Sequence, residues 1–324
     1  MKLTPHPTLR TSLLCGLAFA ALAVGAVAAD LPLHPDDLAI VRRIAEREKL
    51  DASPVAEPPG QNAPRASAGR VKFSAKADGA ASRHVVYAHH DAQGRVVGLL
   101  GNGPTLCNEA FGWIAALPEL RVIRIDHNTP VPKSPVPKEQ YDGTGIIALK
   151  DGKLEELGIG HAFSNAGMAA AAKLPSLKKI HIFHSLVTDE GTAHLKGHAA
   201  LEDVQFDTAG RPQIGPATYV TLATLPRLKR VAMHETFVKW EDGFSHLQPL
   251  SGQIEAISLV KTLILPADLT RLKTEFPKAQ FTTATLADVS ENAYRSNQLL
   301  KWATPEAANF LRAFTATAKP SLKP

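Results

Sequence analysis

The chain has 324 residues, 44% of them hydrophobic, with a net charge of +5 at pH 7. That length can bury a sizeable core, and the slight basic excess is spread along the chain, which argues against a nucleic-acid partner. Cys15 and Cys107 are the only cysteines, so a disulfide framework is excluded.

Residues 1–29 read as a signal peptide. Lys2 and Arg10 form a basic start, Leu13–Val24 is apolar, and Val27-Ala28-Ala29 supplies the small residues a signal peptidase reads before Asp30. The apolar run is shorter than the roughly 20 residues of a membrane span. Ser12-Leu13-Leu14 lacks the small residues of a lipid-anchor signal before Cys15. Removing the leader leaves a charge of +3, Cys107 alone, and no second run able to span a bilayer. The expected location is exported, periplasmic or extracellular. There Cys107 can form no internal disulfide and is expected to be buried.

Residues 30–70 read as a short helix and a flexible linker. Asp36 and Asp37 suit a helix N-terminus over 35–50, with Leu38, Val41, Ile44 and Ala45 on one face. Residues 51–69 are rich in Pro, Ala, Ser and Gly. From 71 to 100 the pattern turns to strands. Val71 and Phe73 alternate with polar residues. Val85–Tyr87 and Val96–Leu100 flank a turn expected at His89-His90-Asp91-Ala92-Gln93-Gly94.

An internal repeat then dominates. The phrase L-x-x-[IVL]-x-apolar begins at Leu120, Leu154, Leu177, Leu201 and Leu228, and at Ile254 with Ile in the first place. Weaker copies are Val97-Gly98-Leu99 and Ala279-Gln280-Phe281. Ser164-Asn165-Ala166-Gly167 and Thr188-Asp189-Glu190-Gly191 suit helix openings, and Trp240-Glu241-Asp242-Gly243 keeps part of that pattern. Leu117-Pro118, Leu174-Pro175 and Leu225-Pro226 end helices and turn the chain into the next strand.

These phrases, 23 to 34 residues apart, resemble the bacterial exported leucine-rich-repeat proteins whose repeats carry a short helix. The resemblance covers about 95–281. It implies an α/β fold: a leucine-rich-repeat solenoid over 71–281, with a parallel concave sheet, helices on the convex side and N-terminal capping strands that include a hairpin. A C-terminal helical cap and tail follow over 282–324, with helices expected at 287–302 and 305–314. Stacking is expected to place Ile123, Leu157, Ile180, Val204, Val231 and Ile257 in one buried column. The family's Asn eight residues past the anchor is kept only at Asn128, so less regular turns are expected. The Pro-rich insertion 128–140 is expected to loop out over one rim.

No nucleophile elbow, phosphate loop, HExxH or haem motif is present. The reading is therefore a binding or scaffold module rather than an enzyme, with no cofactor and a protein or other surface ligand as partner. Its expected contact stripe on the concave sheet is Arg124, Glu156, Lys179, His181, Asp203, Gln205 and Arg230. The alternating charges there equally suit a self-neutralising ladder. The alternative is a metal-binding protein or hydrolase. Seven residues past each anchor stand His127, His161, His184, Thr208, Glu235 and Lys261. The three histidines would stack about 4.8 Å apart on one rim, near His181, His234, Asp126 and Asp207, as a metal site or as inherited turn chemistry. Trp240 reads as packing.

Overall fold

The computed structural model describes residues 32–48, 50, 54–74, 84–102, 106–126, 137–208 and 214–283, with positions 305, 308, 309 and 312 near the C-terminus. The leader 1–29, His127, most of the Pro-rich insertion and both cap helices except those four positions lie outside the described residues.

The described chain is α/β, built on a mostly parallel sheet of eleven strands whose spatial order is the chain order. Helix α1 (Pro35–Arg47) comes first. Strands β1 (Val55–Glu57), β2 (Gly69–Ser74), β3 (Val85–His90) and β4 (Val96–Asn102) pair antiparallel in succession. From β4 onward the ladder is parallel, through β5 (Val122–Ile125), β6 (Glu156–Gly160), β7 (Lys179–Phe183), β8 (Asp203–Asp207) and β9 (Arg230–His234). It skips the short β10 (Phe237–Val238), continues to β11 (Ala256–Leu259), skips β12 (Leu263–Ile264), and ends at β13 (Gln280–Thr283). β10 and β12 pair with each other.

Parallel neighbours need a crossover. Here the crossovers are short: α2 (Asn108–Ile114), 3₁₀ turns over Thr144–Leu149, α3 (Asn165–Ala171), α4 (Asp189–Ala193), α5 (Pro216–Leu222), a 3₁₀ stretch Phe244–Leu250, and α6 (Pro266–Glu275). α3 packs on α4 and α4 on α5, in the succession of the strands.

The expected aliphatic column is in register. Leu99 pairs with Ile123, then come Leu157, Ile180, Val204, Val231, Ile257 and finally Phe281, each opposite the next. From Leu99 to Ile257 all are essentially sealed from solvent. Ile125, Ile159, Ile182, Phe206, Met233 and Leu259 form a second buried row. Each such side chain contributes about 1.5–3 kcal/mol of transfer free energy. One strand and its helix could bury neither row alone.

The units are also tied along their helix openings. Asn165 Oδ1 accepts from Thr188 N at 2.9 Å, and Asn165 Nδ2 donates to Thr188 Oγ1 at 2.9 Å. Asp189 repeats the role one unit later, accepting from Gly215 N at 2.8 Å and from Thr218 N at 3.2 Å. Asn108 does so earlier, accepting from Gly145 N at 3.1 Å. The glycines at these openings follow from that contact. A Cβ on Gly145, Gly191 or Gly215 would run into Asn108, Asn165 or Asp189 of the preceding unit. Ser164 caps its own helix, accepting from Gly167 N at 3.3 Å. Thr188 does not cap its own helix; its hydroxyl accepts from Asn165 Nδ2.

Two expectations at the N-terminal end are corrected. Residues 54–70 are not free linker: β1 lies on β2, and Pro64 is buried. His89 and His90 belong to β3 and are buried; the turn is Asp91–Gly94, with Gly94 in the left-handed region. The cause is the chain over 67–68, which extends the strand environment: Ala68 N donates to His90 O, and Ser67 Oγ bonds His89 Nδ1 at 3.0 Å. Asp37 stands in the first turn of α1, as expected. It is fully buried, accepts from Val96 N at 2.7 Å and pairs with Arg95 at 2.7 Å, fastening α1 to β4.

Cys107 is buried and carries no disulfide. Trp240 is core, packed edge-on to Phe276. Among the described residues no helix is long and apolar enough to cross a membrane.

Candidate functional site

Successive side chains on a strand point to opposite faces. The aliphatic rows face the helices, so the alternate positions share the other face. All seven expected stripe residues are on it. One row runs Val122, Glu156, Lys179, Asp203, Arg230, and the next runs Arg124, Gly158, His181, Gln205, Ala232, Ser258.

Most of the stripe is engaged with itself. Arg124 grips Glu156 with one guanidinium edge, Nε donating to Oε1 and Nη2 to Oε2, the latter at 2.8 Å. Glu156 also lies 3.5 Å from Lys179, and Asp203 pairs with Arg230 at 2.9 Å. A parallel ladder runs one residue earlier, where Glu155 pairs with Arg121 at 2.9 Å and with Lys178 at 3.2 Å. Burial alone would raise the Glu156 carboxyl, but the Arg124 and Lys179 contacts outweigh it and hold the group below its ordinary range.

At the N-terminal end the face is roofed. Segment 60–66 lies over β4 and β5. Pro64 rests on Gly98, the strand position without a side chain. Arg124 is the post beneath the roof, donating from Nη1 to Asn62 O at 3.1 Å while its other edge holds Glu156. On one side of that post is a cleft of about 650 Å³, between Ala63–Ala66 above and Val97, Arg121, Val122, Glu155, Glu156, Lys178, Lys179 and Arg230 below. On the other side is a smaller one of about 320 Å³, lined by Tyr87, His89 and Asp126 among others. His89 forms part of that floor. Burial first, then the nearby charge of Arg70, the neighbouring His90 and the charge of Arg124, push its imidazole down to about 4.

Farther along the face lies a hydrogen-bonded relay. Asp207 bonds His181 Nε2 at 3.0 Å through one oxygen and His234 Nδ1 at 2.9 Å through the other. His234 Nε2 then reaches Ser258 Oγ at 2.8 Å. Gln205 Nε2 donates to Asp207 at 3.1 Å. Burial would raise the Asp207 carboxyl, but the two imidazoles outweigh it and hold the group far below the usual carboxylate range.

The rim column has a backbone explanation. His161, His184, Glu235 and Lys261 all have positive φ, between 42° and 55°, the left-handed region that costs an L-residue roughly 1–2 kcal/mol. Three of these turns offset part of that cost between units: His161 N donates to Phe183 O at 2.9 Å, His184 N to Asp207 O at 2.7 Å and Glu235 N to Val260 O at 3.2 Å. The His161 and His184 rings lie 6.1 Å apart, and His184 Nε2 bonds Glu235 at 2.8 Å. Thr208, short and without a positive φ, leaves the gap that His184 crosses. His127, the third expected ligand, lies outside the described residues. Among the described residues no group of three His, Cys, Asp or Glu side chains could hold a metal ion.

Sequence reasoning missed Arg65, Arg121 and Lys178 at the cleft, and it missed the roof. Composition alone made 51–69 look like linker, and only the missing side chain at Gly98 hinted at something lying on the strand. It placed Ser258, His234 and Asp207 near one surface without their connection. Comparison with protein-family models and with curated proteins returns no match to this chain.

Proposed function

We propose that the chain is an exported, non-catalytic binding module of the leucine-rich-repeat kind, which takes its ligand on the strand face beneath segment 60–66. The observation that carries this reading is the roofed cleft of about 650 Å³, within the 300–1,000 Å³ typical of ligand sites. Fold analogy alone would not carry it. Lysine footprinting in the medium where the protein works tests the reading. Lys178 and Lys179, on the cleft floor, are expected to lose reactivity toward an acylating reagent. The exposed Lys173 and Lys273 are expected to keep theirs. Equal reactivity at all four sites, with or without that medium, rejects the reading.

A second reading, hydrolytic chemistry, is favoured by the Ser258–His234–Asp207 connection, in which a hydroxyl, a base and an orienting carboxylate follow in order. It ranks below binding because β11 is paired on both edges, by β9 and β13, which leaves its backbone N–H groups poorly placed to hold a developing oxyanion. Covalent labelling of Ser258 by a fluorophosphonate, abolished in His234→Ala, would promote this reading. An unlabelled Ser258 retires it.

A further inference from the structure

The larger cleft has an imbalance of charge that the rest of the strand face lacks. Farther along the sheet a cation and a carboxylate match one for one, as in the Lys229–Glu202 pair. Beneath the roof, two carboxylates serve four cations. Glu155 is shared by Arg121 and Lys178, and Glu156 by Arg124 and Lys179. Glu119 and Asp203 add weaker contacts at the margin, 3.7 Å from Arg121 and 3.9 Å from Lys179. Arg230, held by Asp203 at 2.9 Å, lines the far margin, and Arg65 adds a sixth cation from above. It is exposed, lines the cleft, and makes no ion pair among the described residues. Pro64, Val97 and Val122 supply an apolar end to the same space.

Resting on the binding reading above, we infer that the ligand of this cleft is a small organic polyanion, with at least two carboxylate, phosphate or sulfate groups on an apolar frame. The Arg121 and Lys178 heads keep donors that a shared carboxylate cannot fill, since a guanidinium has five N–H groups and an ammonium three. A ligand anion entering between them and Arg65 completes those bonds from the open side. Charge-assisted bonds to a planar guanidinium are strong and directional. Partial enclosure by the roof protects them from screening. The volume suits one small molecule, whereas a folded protein surface could not enter beneath residues 60–66.

The probe is benzene-1,3,5-tricarboxylate, with its uncharged triethyl ester as the control, and binding to the intact protein is followed by calorimetry. The trianion is expected to bind and the ester not, with affinity falling as salt is raised. Arg65→Ala is expected to weaken the trianion about tenfold, the worth of one charge-assisted bond, and Arg65→Lys to restore part of it. Lys173→Ala, on the helix side, is expected to change nothing. Inorganic pyrophosphate separates the frame from the charge: weaker binding than the tricarboxylate is expected. Pyrophosphate as tight as the tricarboxylate overturns the apolar-frame part. An ester that binds as well as the acid, a trianion that does not bind, or affinity indifferent to Arg65 overturns the inference. The lysine footprint reports separately on whether the face binds anything at all.

Discussion

Pro64 lies directly on Gly98, so close that a Cβ at position 98 would stand 2.5 Å from Pro64 Cγ. The glycine admits the roof. Gly98→Val leaves a good strand residue in β4 and is expected to lift residues 60–66 at a cost of about 1–3 kcal/mol for overpacking. Tryptic cleavage after Arg65 measures this. It is expected to accelerate in the variant, and an unchanged cleavage rate would mean the roof rests on other contacts.

The openings of α3 and α4 give a second prediction. Asn165→Ala leaves Thr188 N without its acceptor and is expected to cost about 1–3 kcal/mol. Gly191→Ala drives a methyl into Asn165, at a similar cost. Because both act on one contact, urea melts of the single and double variants should be strongly non-additive. Additive costs would show that the two residues are independent.

The sheet register was legible from the spacing of aliphatic residues, because a side chain that repeats every unit is needed wherever units share an interior. The rim column was legible for a different reason. It marks where the backbone turns left-handed, and the sequence reading took that regularity for possible ligand chemistry. The Asn165 and Asp189 ladder was half-seen as helix capping; that each residue serves its neighbour's helix depends on how units stack, which no local pattern reveals. The cleft was hidden because its roof is a low-complexity stretch more than 50 residues distant in sequence from most of its floor.

Two buried groups titrate in one pH window with opposite signs. Burial pushes the Glu48 carboxyl up to about 7, against a hydrogen bond from Tyr141 and the charge of Arg47. Its folded value is raised above the unfolded one, so its contribution is full below about pH 4.5 and lost as pH rises through 7. His89 is depressed to about 4, so its contribution is full above about pH 6.5 and lost as pH falls toward 4. Each amounts to at most about 3 kcal/mol. In melts between pH 4.5 and 7, Glu48→Gln is expected to gain stability with rising pH more steeply than the parent chain. His89→Gln is expected to gain it less steeply. Matching slopes in all three proteins would contradict these assignments.

Asp207 holds two imidazoles at once. Asp207→Asn keeps the shape but removes the charge, and it is expected to cost about 1–3 kcal/mol at pH 7. In nitrogen NMR the ring signals of His181 and His234 should both move on this substitution. A change in one ring alone would mean that the shared carboxylate does not couple them.

The central claim is that ligand meets the strand face under residues 60–66. It is tested most directly by placing a photo-cross-linking residue at position 179, on the cleft floor, and separately at the exposed position 220 on α5. Irradiation in the producing cells is predicted to give an adduct from 179 and none from 220, with the 179 adduct lost in Gly98→Val. An adduct from 220 alone, or one from 179 that survives opening of the roof, would contradict it.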